Sequence, residues 1–319
     1  MRTFPVILDV DTGVDDALAL LFAVAHPQID IRAITCVAGN ASLPQVVENT
    51  LRILDVAGAP DIPVAGGAVR PLLEPARSAS HVHGADGLGG LPLPASDRVA
   101  EPGSAVELMR RTLMESPERL TLVALAPQTN LALLLRTHPE VTERIERIVF
   151  MGGSAGGGNA TAVAEFNVWH DPEAAAIVLD SGVPILMYGL DVFNQVSVAQ
   201  DAAAALAAGT EPIGRVVGAL LGNRVALSED ATLAYTGLIG DAGAVCALVD
   251  PDALRIEKRP MRIVLSGYGR GQTIVDRRRF SGEDMLHGGV GDWTLIDVAL
   301  DVDAPRFADL FLRTLGLAH

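Results

Sequence analysis

Short aliphatic and β-branched runs alternate along this chain with segments whose apolar positions recur every three or four residues. PVILDVD (5–11), IDIRAITCVA (29–38), IPVAGG (62–67), LTLVALA (120–126), RIVFMGG (147–153) and PILMYGL (184–190) read as strands, most of them apolar on both faces. Between them, residues 15–26, 44–57, 105–115, 131–136 and 172–180 carry the helical period. This alternation predicts an α/β fold: an open, doubly wound, mostly parallel sheet flanked by helices. The stretch from about 197 to 240 is Ala-rich and helix-like. MRIVLSG, TIVD and VALDVD then suggest further C-terminal strands before a last helix over 305–315. No internal repeat and no change of composition marks a linker, so residues 1–319 are read as one domain.

Composition narrows the class. Of 319 residues, 49% are hydrophobic and 20% charged, enough apolar material for a sizeable core and too much for a disordered chain. Asp and Glu total 39 against 24 Lys and Arg, a net charge of −15, which argues against a nucleic-acid partner and suits small ligands and cations. The longest apolar stretches, such as 242–249, are far short of a membrane span. Asp9 interrupts the apolar core that a secretory signal would need, so a cytoplasmic protein is expected. Cys36 and Cys246 lie in apolar runs without metal-ligand spacing and read as buried free thiols. Two long Gly-rich loops, 68–99 and 152–165, are candidates for function.

In an open α/β sheet, ligands bind beyond the carboxyl ends of the strands, and here those ends are polar and acidic. The first delivers DVDTGVDD: Asp9, Asp11, Asp15 and Asp16 within one turn. Asp15 and Asp16 could each serve the dipole of the following helix, but four crowded carboxylates call for a cation. Oxygen donors without neighbouring His or Cys indicate a hard ion, and Ca²⁺ tolerates irregular geometry better than Mg²⁺. An aspartyl phosphatase also opens with DxD, yet Gly13 stands where such sites want Thr or Val, and the only lysine is Lys258. No P-loop and no G-x-G-x-x-G after an early strand is present.

DVDTGVDDALAL, VAGN (37–40), HGADGLGG (83–90), APQTNLAL (126–133), MGGSAGGGNATAVAEFNVWHDPEAA (151–175), GDAGAVCALVDP (240–251), RGQTIVD (270–276) and VALDVDAPRF (298–307) together resemble the inosine-uridine preferring nucleoside hydrolase family. The blocks occur in the family's order and run from end to end of the chain. The resemblance implies calcium-dependent hydrolysis of the N-glycosidic bond of ribonucleosides to free base and ribose. It implies a Ca²⁺ held by Asp11, Asp16, the Thr129 carbonyl and Asp241, with the ribose diol and a water completing the shell. Asp11 would take the proton of that water and Asn40 would orient it. Asp15 and Asn167 would bind the 2′- and 3′-hydroxyls; Asn159, Glu165 and the Met151 main chain would bind the 5′ end. Homodimers or homotetramers are the assemblies it suggests.

The sequence departs from the family where the base leaves. Many members carry a His immediately before the fourth calcium-binding Asp, and here that residue is Gly240. Neither Trp169 nor Trp293 matches the positions at which other members stack the base, and Phe193-Asn194 stands where relatives often have Thr-His. His83, in the HGADGLGG loop, is the candidate acid in its place; Tyr235 could reach the base from a lid. His81 reads as solvated, Trp169 as pocket wall, and His170 as a cap for the following helix. With the usual acid missing, a ribose-binding homologue with little or no turnover is the alternative.

Overall fold

A computed structural model describes residues 3–226, 233–280, 282–283 and 293–318; His287 and Asp292 lie outside the described residues. The strands are β1 (Phe4–Val10), β2 (Ile29–Cys36), β3 (Val64–Gly66), β4 (Leu120–Ala124), β5 (Ile145–Met151), β6 (Ile185–Tyr188), β7 (Arg224–Ala226), β8 (Leu233–Tyr235), β9 (Leu254–Ile263), β10 (Thr273–Val275) and β11 (Thr294–Val302). Among the described residues nine of them form one sheet in the order β10-β9-β11-β6-β5-β4-β1-β2-β3. All pairings from β3 across to β11 are parallel; β9 joins β11, and β10 joins β9, antiparallel. The mostly parallel, doubly wound α/β sheet is therefore as expected.

Alternation along β1 shows why the strands are apolar on both faces. Val6, Leu8 and Val10 point into one core with α1 (Val14–Ala25), α2 (Leu43–Val56) and the helices Ala242–Val249 and Ala304–Thr314. Ile7 points into the other, with the helices Ala105–Glu115, Thr129–Thr137 and Pro172–Leu179. In the first core Phe22 of α1 stacks on Phe311 of the last helix at 6.2 Å, which ties the C-terminal end of the chain to the first βα unit.

Two details differ from the sequence reading. The Ala-rich region forms the helices Gln200–Ala208 and Pro212–Leu221, but these are followed by the antiparallel pair β7 and β8, whose three-residue strands are too short to leave a pattern. β9 is longer than MRIVLSG suggested, running through Pro260, which lies opposite Leu295. Both cysteines are buried and free. No helix among the described residues is long and apolar enough to cross a membrane.

The chain leaves β1 toward β2 and β3 on one side and returns at β4 toward β5 and β6 on the other. The β1/β4 pair is thus the topological switch point, the place at which open α/β sheets bind ligands beyond the carboxyl ends of their strands.

Candidate active site

The turn after β1 folds back on itself through its own carboxylates. Asp16, in the first turn of α1, accepts hydrogen bonds from the main-chain N–H of Asp11 (3.2 Å) and of Gly13 (2.9 Å). Asp11 accepts from the Asn40 main chain (2.7 Å) and from its Nδ2 (3.2 Å), and the same Nδ2 reaches Asp16 at 3.1 Å. Asn40, delivered by the loop after β2, therefore bridges the two acids. Gly13 permits the close approach: a Cβ there would lie 2.7 Å from both Asn40 Nδ2 and His83 Nδ1.

Asp15, Asp16 and Asp241 bring carboxylate oxygens within 4.8 Å of one another. Asp241 comes from the residue before the helix Ala242–Val249. Burial is the main force that raises the pKa values of Asp11, Asp16 and Asp241, and repulsion among the cluster's acids adds to it, bringing Asp16 to about 7. Asp15 Oδ1 and Asp241 Oδ1 are buried without a hydrogen-bond donor. Orphaned acceptors in a crowded acidic pocket are what a hard divalent cation would satisfy, so the residues present fit a metal ion. The cluster differs in emphasis from the expected ligand set: it includes Asp15, assigned to the ribose diol by resemblance, while Asp11 adjoins it through Asn40 and Asp16.

Thr129 lies just beyond β4 and is buried. Its hydroxyl donates to Asp171 Oδ2 at 2.7 Å, so what it can offer a ligand is its main-chain carbonyl. The neighbouring Asn130 donates to Asp9 Oδ1 (2.8 Å) and to the Cys36 carbonyl (3.0 Å), and accepts from the Ala68 N–H (2.9 Å). Asp9, pushed up to about 7 by burial against its bonds from Asn130 and Thr35, is a girder of the site. Sequence patterns did not single out Asn130, Thr35 or Asp171 because what distinguishes each is a partner far away in the chain.

The proposed 5′ group gathers beyond β5. Glu165 caps the helix Phe166–His170, accepting from the N–H of Asn167 (2.8 Å), Gly153 (2.9 Å) and Val168 (3.2 Å); burial outweighs these bonds and raises it to about 7. Asn167 Nδ2 donates to the carbonyls of Leu125 (3.0 Å) and Met151 (3.2 Å), leaving its Oδ1 to accept from a ligand. Asn159 is exposed on the same loop, its Oδ1 accepting from the Phe166 N–H at 2.9 Å.

His83 lies at the N-terminus of α1. Its Nδ1 accepts from the Val14 N–H at 3.2 Å and stands 3.7 Å from Asp15 Oδ1. A main-chain N–H can only donate, so the neutral ring carries its proton on Nε2. Burial lowers the pKa of His83, with the Asp15 charge opposing and His81 adding to the fall. The ring is therefore built to donate a hydrogen bond from Nε2 rather than to carry a spare proton. Asn49 of α2 fixes the loop around it, donating to the carbonyls of Thr12 (3.1 Å) and Asp86 (2.8 Å). Gly240 has φ +57, and a Cβ there would lie 2.3 Å from Asp15 Cβ. A His at that place would collide with Asp15.

Tyr235 donates its hydroxyl to the Val198 carbonyl (2.6 Å), which answers that group locally. His170 is not the cap of the next helix; Asp171 is, accepting from the Ala174 N–H at 3.0 Å, while both ring nitrogens of His170 are buried without partners. Trp169 is partly buried under the Arg77 guanidinium, 4.5 Å from its ring, and His81 is exposed.

Residues 6–309 match the inosine-uridine preferring nucleoside hydrolase family. The chain is 40% identical over 314 residues to a pyrimidine-specific ribonucleoside hydrolase, RihA, of Citrobacter koseri, covering 98% of each chain. Among solved structures it is similar to the plant nucleoside hydrolase PpNRh1 (31% identity, TM-score 0.88, 98% of this chain and 99% of that one). It is also similar to a purine-preferring ribonucleoside hydrolase from Gardnerella vaginalis (32% identity, TM-score 0.86, 98% of each chain).

Proposed function

The chain belongs to the inosine-uridine preferring nucleoside hydrolase family and is a ribonucleoside hydrolase, and from that premise we propose that it is a calcium enzyme with a preference for pyrimidine ribonucleosides, residues 1–319 acting as one domain. The observation that carries the metal is Asp241 Oδ1, buried without a donor in a cluster of acids whose carboxylate oxygens lie within 4.8 Å of one another. Asp11, Asp16, Asp241 and the Thr129 carbonyl would hold the ion, with Asp15 beside them. Bound there, a divalent cation lowers the pKa of water and fixes a vicinal diol.

Asp11 takes the proton of the attacking water. Its carboxylate, raised by burial and by Asp16, is a stronger base than an exposed one, and Asn40 holds its orientation with two hydrogen bonds. Asp15 and the Asn167 amide oxygen accept from the ribose 2′- and 3′-hydroxyls, while Asn159, Glu165 and the Met151 main chain bind the 5′ end. Cleavage builds an oxocarbenium-like ribose, which these carboxylates stabilise more than they do the ground state. His83 offers Nε2–H to the charge that develops on the departing base. The pyrimidine preference is supported by the relatives at about 40% identity and by Gly240, which leaves no acid at the place where many family members have one for purines. Homodimers or homotetramers in the cytoplasm belong to the same reading; the two free thiols suit that compartment.

Reducing sugar released from a nucleoside panel tests this. Uridine and cytidine should be cleaved faster than inosine, and 2′-deoxyuridine should react roughly 10³-fold more slowly than uridine, because its site oxygens lose a partner. Equal rates for uridine and inosine would remove the base preference. Calcium binding without sugar release from any substrate, p-nitrophenyl riboside included, would return the chain to a ribose-binding homologue.

His83→Ala should slow uridine by about 100-fold, the scale of one lost donor to developing charge. p-Nitrophenyl riboside, whose leaving group needs no help, should change by less than about threefold. Equal slowing of the two would exclude a role at the base.

A further inference from the structure

The RGQTIVD motif (270–276) takes no part in the chemistry above, and its strand, β10, is the sheet's edge on the side away from β1. It nevertheless reaches back to the loop that follows β5. Thr273 is 4% exposed, and its Oγ1 donates to the Ser154 carbonyl (2.6 Å) while accepting from the Ser154 N–H (2.8 Å). One side chain thus satisfies both main-chain groups of a residue 119 positions away. The next residue back, Gly153, donates its N–H to Glu165 Oε2 at 2.9 Å, and its carbonyl accepts from the Leu190 N–H at 3.0 Å. Gly153 is pressed on Thr273 itself: a Cβ would lie 2.8 Å from Thr273 Cγ2. Farther along the motif, Arg270 is paired with Glu173 (Nη2 to Oε2, 2.9 Å), and a Cβ on Gly271 would come within 2.6 Å of Trp169 Cα. The 270–273 segment therefore bears on both ends of the stretch that carries Glu165 and Asn167.

We propose that Thr273 is a positioning residue for recognition of the substrate's 5′-hydroxyl: by holding Ser154 it fixes the Gly153 N–H and, through it, the Glu165 carboxylate. The inference rests on the assignment of Glu165 and Met151 to the 5′ end. It gives the antiparallel β9–β10 extension a function, since without β10 no described side chain bonds both main-chain groups of Ser154. Asp191 also holds this loop, accepting from the Ala155 N–H at 2.7 Å, so the test must show that Asp191 does not suffice.

The experiment measures kcat and KM for uridine and 5′-deoxyuridine with the wild type and with Thr273→Val, Thr273→Ala and Thr273→Ser, alongside thermal melts. The wild type should favour uridine by at least about tenfold in kcat/KM, the scale of one well-placed hydrogen bond. Thr273→Val keeps the shape and loses both bonds. Uridine's KM should rise about tenfold with kcat changed less than about threefold, while 5′-deoxyuridine moves less than about twofold, so that the preference collapses. Thr273→Ser, which retains Oγ, should restore it. Thr273→Ala, without hydroxyl or added bulk, gives the same readout where the valine variant does not fold. Equal slowing of both substrates, or a preference that survives in the folded Val and Ala variants, overturns the positioning role. A wild type that does not distinguish the two nucleosides overturns the 5′ assignment beneath it.

Discussion

Replacing Asp11 with alanine is expected to reduce kcat for uridine by about 10⁵-fold while leaving a folded protein, the scale seen when a base that acts with its neighbours as a unit is removed. The size follows from what converges on this one carboxylate. Asp11 is fully buried beyond β1, and a water filling the space its side chain leaves would be a far weaker base than a carboxylate. Asn40 aims two donors at it; in the variant its main-chain N–H loses its acceptor, while Nδ2 keeps only Asp16. The proton acceptor and a metal ligand disappear together. Asn40→Ala, by contrast, leaves the base in place and removes only its orientation. Initial rates with the purified variant, checked by circular dichroism for folding, decide the matter: activity within about tenfold of wild type would exclude Asp11 as the base.

How much of this was legible in the chain depends on how far each feature lies from its partners. The sheet was readable because each parallel strand carries its own apolar signature, and β1, β2, β4, β5 and β6 lie where those runs predict. The acids of DVDTGVDD were readable because they crowd one turn, and crowding of like charge is visible without a fold. Asp241 stood out only through the resemblance, since nothing local distinguishes it from the acids at 250, 252 or 303. The girders Asn49, Asn130, Asp171 and Thr273 were not legible. Each is a polar residue that no local pattern distinguishes, and its meaning is a bond across 37 to 121 positions. Even a correct motif can mislead about role. His83 was legible as a candidate for the base, but its protonation is decided by the Val14 N–H, which the sequence does not place beside it. Gly240 read as a deletion of function; in three dimensions it is the space that Asp15 occupies.

Chelation should abolish turnover and, in the same protein, invert the usual dependence of stability on pH. Without an ion, Asp11, Asp16 and Asp241 face one another as buried acids whose folded pKa values lie above their unfolded ones. For such a group the folded chain binds more protons than the unfolded chain, so its stabilising contribution is complete below the unfolded value near 3.8 and is lost as pH rises through the folded value. His83 and His170 act oppositely, since burial lowers both and they favour the fold increasingly up to their unfolded value of 6.5. Above pH 7 the two histidines no longer contribute, and the buried acids, Asp9 and Glu165 among them, are what remain to titrate. Between pH 7 and 8.5 the melting temperature of the EDTA-treated protein should fall by about 5 °C, one group's worth of linkage for a chain of this size. Millimolar Ca²⁺ should cancel that fall, because the ion binds the deprotonated cluster and gains affinity as pH rises. Asp241→Asn, which removes one of the opposed charges, should flatten the calcium-free slope and diminish the calcium-induced rise at pH 8.5. Differential scanning calorimetry across this window decides between the alternatives: a melting temperature that climbs with pH in EDTA, or one that calcium leaves unmoved at pH 8.5, would mean that these acids hold no ion and do not strain the fold in its absence.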